Sequence, residues 1–210
     1  VKPSEKWKRL RDKLNRASRE KDGAFRGVKI AAVISEAFRE IDIEPVLVGG
    51  GAVAFYTEGK YTTRDIDMIS PSGKDIEEIM ERLGFSKFGK DYSNKKLKIY
   101  VEFPSDALGP TERANIIRIG TSRLKIISIE DLIVDRLCAF KYWRSTVDGV
   151  NALIMLELGI ADKARVEDRA REEDVLDALD YIEDSLQIII RKRLPPAKAS
   201  ELLAKYHRKA

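Results

Sequence analysis

Three consecutive glycines, Gly49-Gly50-Gly51, constrain this chain more than any other feature. They close the short apolar run Pro45-Val46-Leu47-Val48 and open a helix-compatible run, Ala52 to Tyr56. A strand that ends in glycine and turns into a helix leaves bare N–H groups at the positive end of the helix, where an anion can approach closely. Downstream, Thr62-Thr63-Arg64-Asp65-Ile66-Asp67 begins a second apolar run that ends at Ile69. Side chains two apart on a strand share a face, so Asp65 and Asp67 are expected to project together. Paired carboxylates beside a phosphate cradle suit a divalent cation and a nucleotide.

Around that centre the periodicity predicts helices over 4–20 and 25–41, a buried strand over 43–48, a short helix over 51–58 and the strand 65–69. A helix over 74–83 follows, then strands at 85–88 and 97–103 and a hairpin of 115–119 with 123–127 around Gly120-Thr121-Ser122. In the strand 97–103 the residues alternate, with Leu97, Ile99, Val101 and Phe103 on one side and Tyr100 and Glu102 on the other. From 129 onward the pattern is helical, over 129–142, 146–158, 164–170, 172–192 and 196–207. Strands first and helices afterwards predict an α+β chain, a mixed β-sheet flanked by helices with a C-terminal helical region. The expected organisation is N-terminal helices at 1–42 packing on a sheet domain at 43–128, then a helical region at 129–210.

Three motifs compete for the glycine stretch. A Walker A loop ending at Gly59-Lys60 fails, because Ala54 stands at its first glycine and Tyr61 where Ser or Thr is required. The dinucleotide fingerprint matches Gly49, Gly51 and Ala54, so binding of an NAD-type dinucleotide stands as an alternative, although Asp65 and Asp67 open their strand instead of closing it. The third candidate is Val48-Gly49-Gly50, a helix, then Thr63-Arg64-Asp65-Ile66-Asp67, with Glu102 on a later strand. It resembles the signature of the DNA-polymerase-β-like nucleotidyltransferase superfamily.

That resemblance implies a nucleotidyltransferase fold and transfer of a nucleoside monophosphate from an NTP to a hydroxyl acceptor. Asp65, Asp67 and Glu102 would be the catalytic, metal-holding carboxylates, and Gly49, Gly50 and Thr63 would contact the nucleotide. Two Mg²⁺ ions, about 3.5–4 Å apart in such sites, would serve the reaction, and Glu102 would also take a proton from the acceptor. A further stretch, Glu130-Asp131-Leu132, Arg136-Leu137-Cys138-Ala139, Arg144 and Asp148, looks like toxin-type nucleotidyltransferases of abortive-infection systems. It implies phosphate contacts by Arg136 and Arg144. Residues 136, 140, 144 and 148 would share one face if their helix were continuous. The role of Asp148 stays open between nucleotide chemistry and a surface salt bridge.

Composition narrows the partners. Of the net charge of +4, residues 1–29 contribute +7, residues 191–210 contribute +6 and the middle is −9. Basic ends around an acidic body point to a polyanion such as an RNA or tRNA acceptor, or are the solvated faces of amphipathic helices. A protein or small-molecule acceptor, a regulatory protein partner and a non-catalytic nucleic-acid-binding module on the same fold are the other readings. One cysteine and one histidine argue against an internal disulfide, a histidine-rich zinc site and a Ser-His-Asp triad. No apolar run is long enough to cross a bilayer and the first thirty residues are dense in charge, so neither a leader nor a membrane anchor is expected and a cytoplasmic setting is. A charged fraction of 35% also resembles the proteins of heat-loving organisms.

Overall fold

The computed structural model describes residues 3–195 and 197–209. The chain divides into two compact units between Ser128 and Ile129.

In the first unit, α1 (Pro3–Ser18) and α2 (Gly23–Phe38) are separated by Asp22, whose side chain caps α2 by accepting from Ala24 N–H. The last turn of α2 tightens into a 3₁₀ segment at Arg39–Ile41. Strand β1 (Val46–Val48) is buried along its whole length and runs directly into α3 (Gly49–Tyr56), so the glycines form the helix's first turn and not a loop before it. Then come β2 (Asp65–Ile69), α4 (Lys74–Arg82), β3 (Ser86–Phe88), β4 (Asp91–Asn94), β5 (Ile99–Glu102), β6 (Ala114–Ile119) and β7 (Ser122–Ile127).

These strands form one mixed sheet in the order β3-β4-β5-β2-β1-β7-β6. Strand β2 is antiparallel to β1 and parallel to β5, and β1 is parallel to β7. The antiparallel β1–β2 pair overturns the dinucleotide-binding alternative, since that fingerprint opens a parallel βαβ crossover. Ile66, Met68, Ile99 and Val101 are buried, while Asp65, Asp67, Tyr100 and Glu102 alternate with them. Strand β4 was not expected from the sequence, and it inserts between β3 and β5.

The second unit is helical: α5 (Ile129–Tyr142), α6 (Thr146–Glu157), α7 (Lys163–Glu172), α8 (Leu176–Lys192), α9 (Ala197–Leu203) and α10 (Tyr206–Lys209). The expected last helix breaks in two, and its predicted first residue, Pro196, lies outside the described residues. Asp131 on α5 is buried between two guanidinium groups of α7, bonded by Arg165 Nη2 at 2.7 Å and Arg169 Nε at 3.0 Å. Such a buried charge is tolerated because it is paired on both sides. No helix among the described residues is long and apolar enough to cross a membrane.

Candidate active site

The sequence places Asp65 and Asp67 at the start of β2, and the strand register decides what faces them. Across the parallel β2–β5 ladder, Asp65 lies opposite Tyr100 and Asp67 opposite Glu102. With the alternation of both strands, the three carboxylates share one face of the sheet. On the other side of β2, Asp67 pairs with Val48, the residue that enters the glycine turn.

The glycines are there for Asp67. Gly49 has φ +57°, a left-handed conformation, and a Cβ on it would fall 2.2 Å from Asp67 Oδ2. Gly50 N–H donates to the same oxygen at 3.2 Å, so this carboxylate sits at the positive N-terminus of α3. One of the two amides read from the sequence as a phosphate cradle therefore already holds a catalytic candidate. Thr63 packs on Gly50, where a Cβ would come within 3.1 Å of its methyl carbon, and its hydroxyl accepts from Asp65 N–H at 3.4 Å. Thr63 thus joins the glycine turn to the strand that carries both aspartates.

Sequence reasoning missed a fourth carboxylate. The antiparallel β4–β5 register pairs Tyr92 with Val101, which brings Asp91 beside Glu102. Burial, followed by the charges of Asp67, Asp91 and Asp65, raises the Glu102 carboxyl above the ordinary glutamate value, with Lys90 opposing. Tyr100 is raised by burial and then by Asp91, Glu102 and Asp65. Among the described residues, Asp91 Oδ1 is buried without a hydrogen-bond partner. Hard carboxylate oxygens and an orphaned buried acceptor fit Mg²⁺ in donor chemistry. Among the described residues, however, no three His, Cys, Asp or Glu side chains are gathered closely enough to form a preformed metal cluster.

The other candidates belong to the second unit. Arg136 donates from Nε to Asp135 at 2.9 Å and from Nη1 to Asp148 at 2.7 Å. Burial would lower its pKa, but these two carboxylates raise it. The continuous helical face does not exist: α5 stops at Tyr142, and Arg144 has φ +55° at the corner before α6. Arg136 and Asp148 meet because the chain folds back there. Cys138 is a packing residue, its thiol pushed up to about 11 by burial and then by Glu173 and Asp135. Tyr56, one of the aromatic side chains suited to stacking on a base, is instead tied to Ile127 C=O at 2.8 Å.

A mixed sheet flanked by helices, with a glycine turn held against paired carboxylates on adjacent strands, defines a nucleotidyltransferase-like protein. The family model described as "Nucleotidyltransferase of unknown function (DUF6036)" matches residues 28–154, and the chain belongs to that family. The fold is similar to the crystal structure of an antigenic nucleotidyltransferase-like protein from Paracoccidioides brasiliensis. That likeness has a TM-score of 0.54 at 15% identity and covers 92% of this chain and 93% of that one. No curated protein matches the chain.

Proposed function

We propose that this chain is a Mg²⁺-dependent nucleotidyltransferase that works in the cytoplasm, moving a nucleoside monophosphate from an NTP to a hydroxyl acceptor, with RNA as the acceptor class. The observation that carries the reading is the register of β2 and β5, which sets Asp67 directly opposite Glu102, with Asp65 on the same face beside the glycine turn.

In this reading Asp65, Asp67 and Glu102 hold the metal, and Asp91 adds to the negative field beside Glu102. Bound there, Mg²⁺ would polarise phosphoryl oxygens and offset the charge that builds on them during in-line displacement. Gly49 allows Asp67 its close approach, and the N-terminus of α3 offers backbone N–H groups to the nucleotide. Thr63 fixes the path from the glycine turn to Asp65. Glu102 takes the proton of the attacking hydroxyl as the hydroxyl oxygen bonds to the α-phosphorus, and the α–β phosphoanhydride bond breaks to release pyrophosphate. Arg136, if it contacts a triphosphate, must exchange one of its present carboxylate partners for it.

The resemblance of the α5–α6 segment to toxin-type enzymes carries the narrower reading, an activity that arrests growth and is held in check by a protein partner. Expression of the chain with and without Asp65→Asn tests this, since growth arrest by both would overturn it.

The test of the central reading is transfer of label from an α-³²P-NTP to total RNA in Mg²⁺. Asp65→Asn and Asp67→Asn should each cut transfer by more than about a hundredfold, beyond the loss seen when even an outer support of a metal site is removed. Circular dichroism should show the fold unchanged. Transfer at the wild-type rate by either variant, or in EDTA, sinks the enzyme reading. Salt-sensitive RNA binding with no transfer at all would favour the binding module instead.

A further inference from the structure

The corner between α5 and α6 holds aromatic and apolar surface out to solvent on a rigid support. Trp143 is 83% exposed, Val147 61% and Tyr142 54%. The corner is tightly made: Trp143 N–H and Ser145 N–H both donate to Ala139 C=O at 3.2 Å, with Arg144 in the left-handed conformation between them. Ser145 then caps α6, accepting from Asp148 N–H at 3.3 Å. Gly149 packs so closely on Phe140 that a Cβ would come within 2.6 Å of that ring.

The C-terminal helix lies beside the same corner. Phe140, three residues before Trp143, packs in tilted geometry against Tyr206 at 4.9 Å and His207 at 4.7 Å between ring centroids. His207 is lowered by burial and then by the charge of Arg144. Arg144, Lys205 and Arg208 are exposed, and among the described residues none has a carboxylate partner. The nearby acids pair with other groups: Asp148 with Arg136, Asp174 with Lys141 at 3.6 Å although its side chain is 93% exposed, and Asp177 with Lys141 and the Tyr206 hydroxyl.

We infer that this corner is a docking platform for single-stranded RNA, with an unpaired base stacked on Trp143 and flanking phosphates held by Arg144, Lys205 and Arg208. An exposed indole among open cations is the combination that binds single strands, because every base has a π-face and every linkage a negative charge. A protein partner on the apolar surface alone would leave three cations unmatched. Arg144, read from the sequence as a triphosphate contact, serves RNA phosphate in this assignment. The platform deepens the RNA-acceptor reading above, and its binding step needs neither Mg²⁺ nor NTP.

The test uses the full chain in EDTA: tryptophan emission is read on titration with an unlabelled single-stranded twelve-nucleotide RNA, and the affinities of wild type and variants are read from the anisotropy of the same RNA carrying a fluorescent end label. Of the two tryptophans, Trp7 is buried against Arg82 and serves as the silent reference. Single-stranded RNA should quench the exposed indole, and a perfect duplex of the same length should not. Trp143→Ala should weaken binding by about tenfold or more, the usual worth of one stacked base, and Trp143→Phe should recover most of it. Arg144→Gly keeps the corner, since glycine suits φ +55°, and should lower the salt slope by about 0.7, the single-strand value for one phosphate contact. Absence of quenching, or unchanged affinity in both Trp143→Ala and Arg144→Gly, overturns the platform. The two readings fail separately: quenching with no label transfer keeps the platform and removes the acceptor role, and transfer without quenching does the reverse.

Discussion

Gly49 shows how one residue serves fold and site together. Its left-handed backbone lets β1 turn directly into α3, and its missing side chain leaves room for the Asp67 carboxylate. Gly49→Ala is therefore expected to cost about 1–2 kcal/mol from the backbone alone. It should also displace Asp67 and lower label transfer well beyond what the stability loss explains. Gly51→Ala is the matched control, because its added Cβ meets only the flexible end of Leu47, at 3.1 Å. Urea unfolding and α-labelled transfer on both variants check this, and equal effects would show that the turn matters only as a turn. At this scale the sequence was informative, since i, i+2 alternation already put Asp65 with Asp67, and the resemblance to the nucleotidyltransferase signature picked Glu102 from the polar face of a later strand. It carried no signal for Asp91, whose place beside Glu102 depends on strand pairing.

Strand β4 is the element that sequence patterning could not find. Asp91-Tyr92-Ser93-Asn94 has the composition of a turn, and only Tyr92 fits strand preference. It is a strand because β3 and β5 pair with its two edges, a tertiary cause. The same limit applies to Glu36, which looks like an ordinary helix-surface acid. In the structure it accepts two bonds from Lys13 of α1, at 2.9 and 2.7 Å, and one from Ser122 of β7 at 2.7 Å. Burial would raise its carboxyl, but those bonds and the charges of Lys13 and Arg9 outweigh it and hold it below the usual glutamate value. A depressed carboxylate stabilises the fold above the ordinary glutamate pKa, and that stability is lost as pH falls through the folded value. Glu36→Gln should therefore cost about 1–2 kcal/mol at pH 7. The gap from wild type should close as the pH falls below the ordinary glutamate range. Urea midpoints measured at pH 7 and at acid pH decide it, and a gap that persists in acid would assign Glu36 a packing role instead.

Across the whole molecule, the fold class was legible because the switch from strand to helix periodicity after residue 127 survives in three dimensions. The meaning of the charge was not legible, because two basic ends of similar net charge look alike until their partners are seen. In the first, Lys6 pairs with Glu40, Arg9 and Lys13 with Glu36, and Lys29 with Glu20, while Arg26 is committed to Ser18 C=O and Lys98 C=O. These cations fasten α1 and α2 to their own unit, whereas Lys8, Arg16, Arg19 and Lys21 are exposed and, among the described residues, have no carboxylate partner. At the other end, Lys198 pairs with Glu201, while Arg191, Lys192, Lys205 and Arg208 are exposed and, among the described residues, none of those four pairs with a carboxylate. Removing two paired cations from the first end and two open ones from the second should thus have opposite consequences. Lys6→Gln with Lys13→Gln should lower the Tm and leave single-stranded RNA affinity and its salt slope unchanged. Lys205→Gln with Arg208→Gln should keep the Tm and weaken RNA binding. The slope of log affinity against log salt should then fall by about 1.4, close to 0.7 for each single-strand phosphate left without its cation. Thermal melts and salt-dependent anisotropy on the two double variants separate the outcomes. An RNA defect in the first pair with none in the second would move the polyanion to the N-terminal helices, where the internal ion pairs would have to open to receive it.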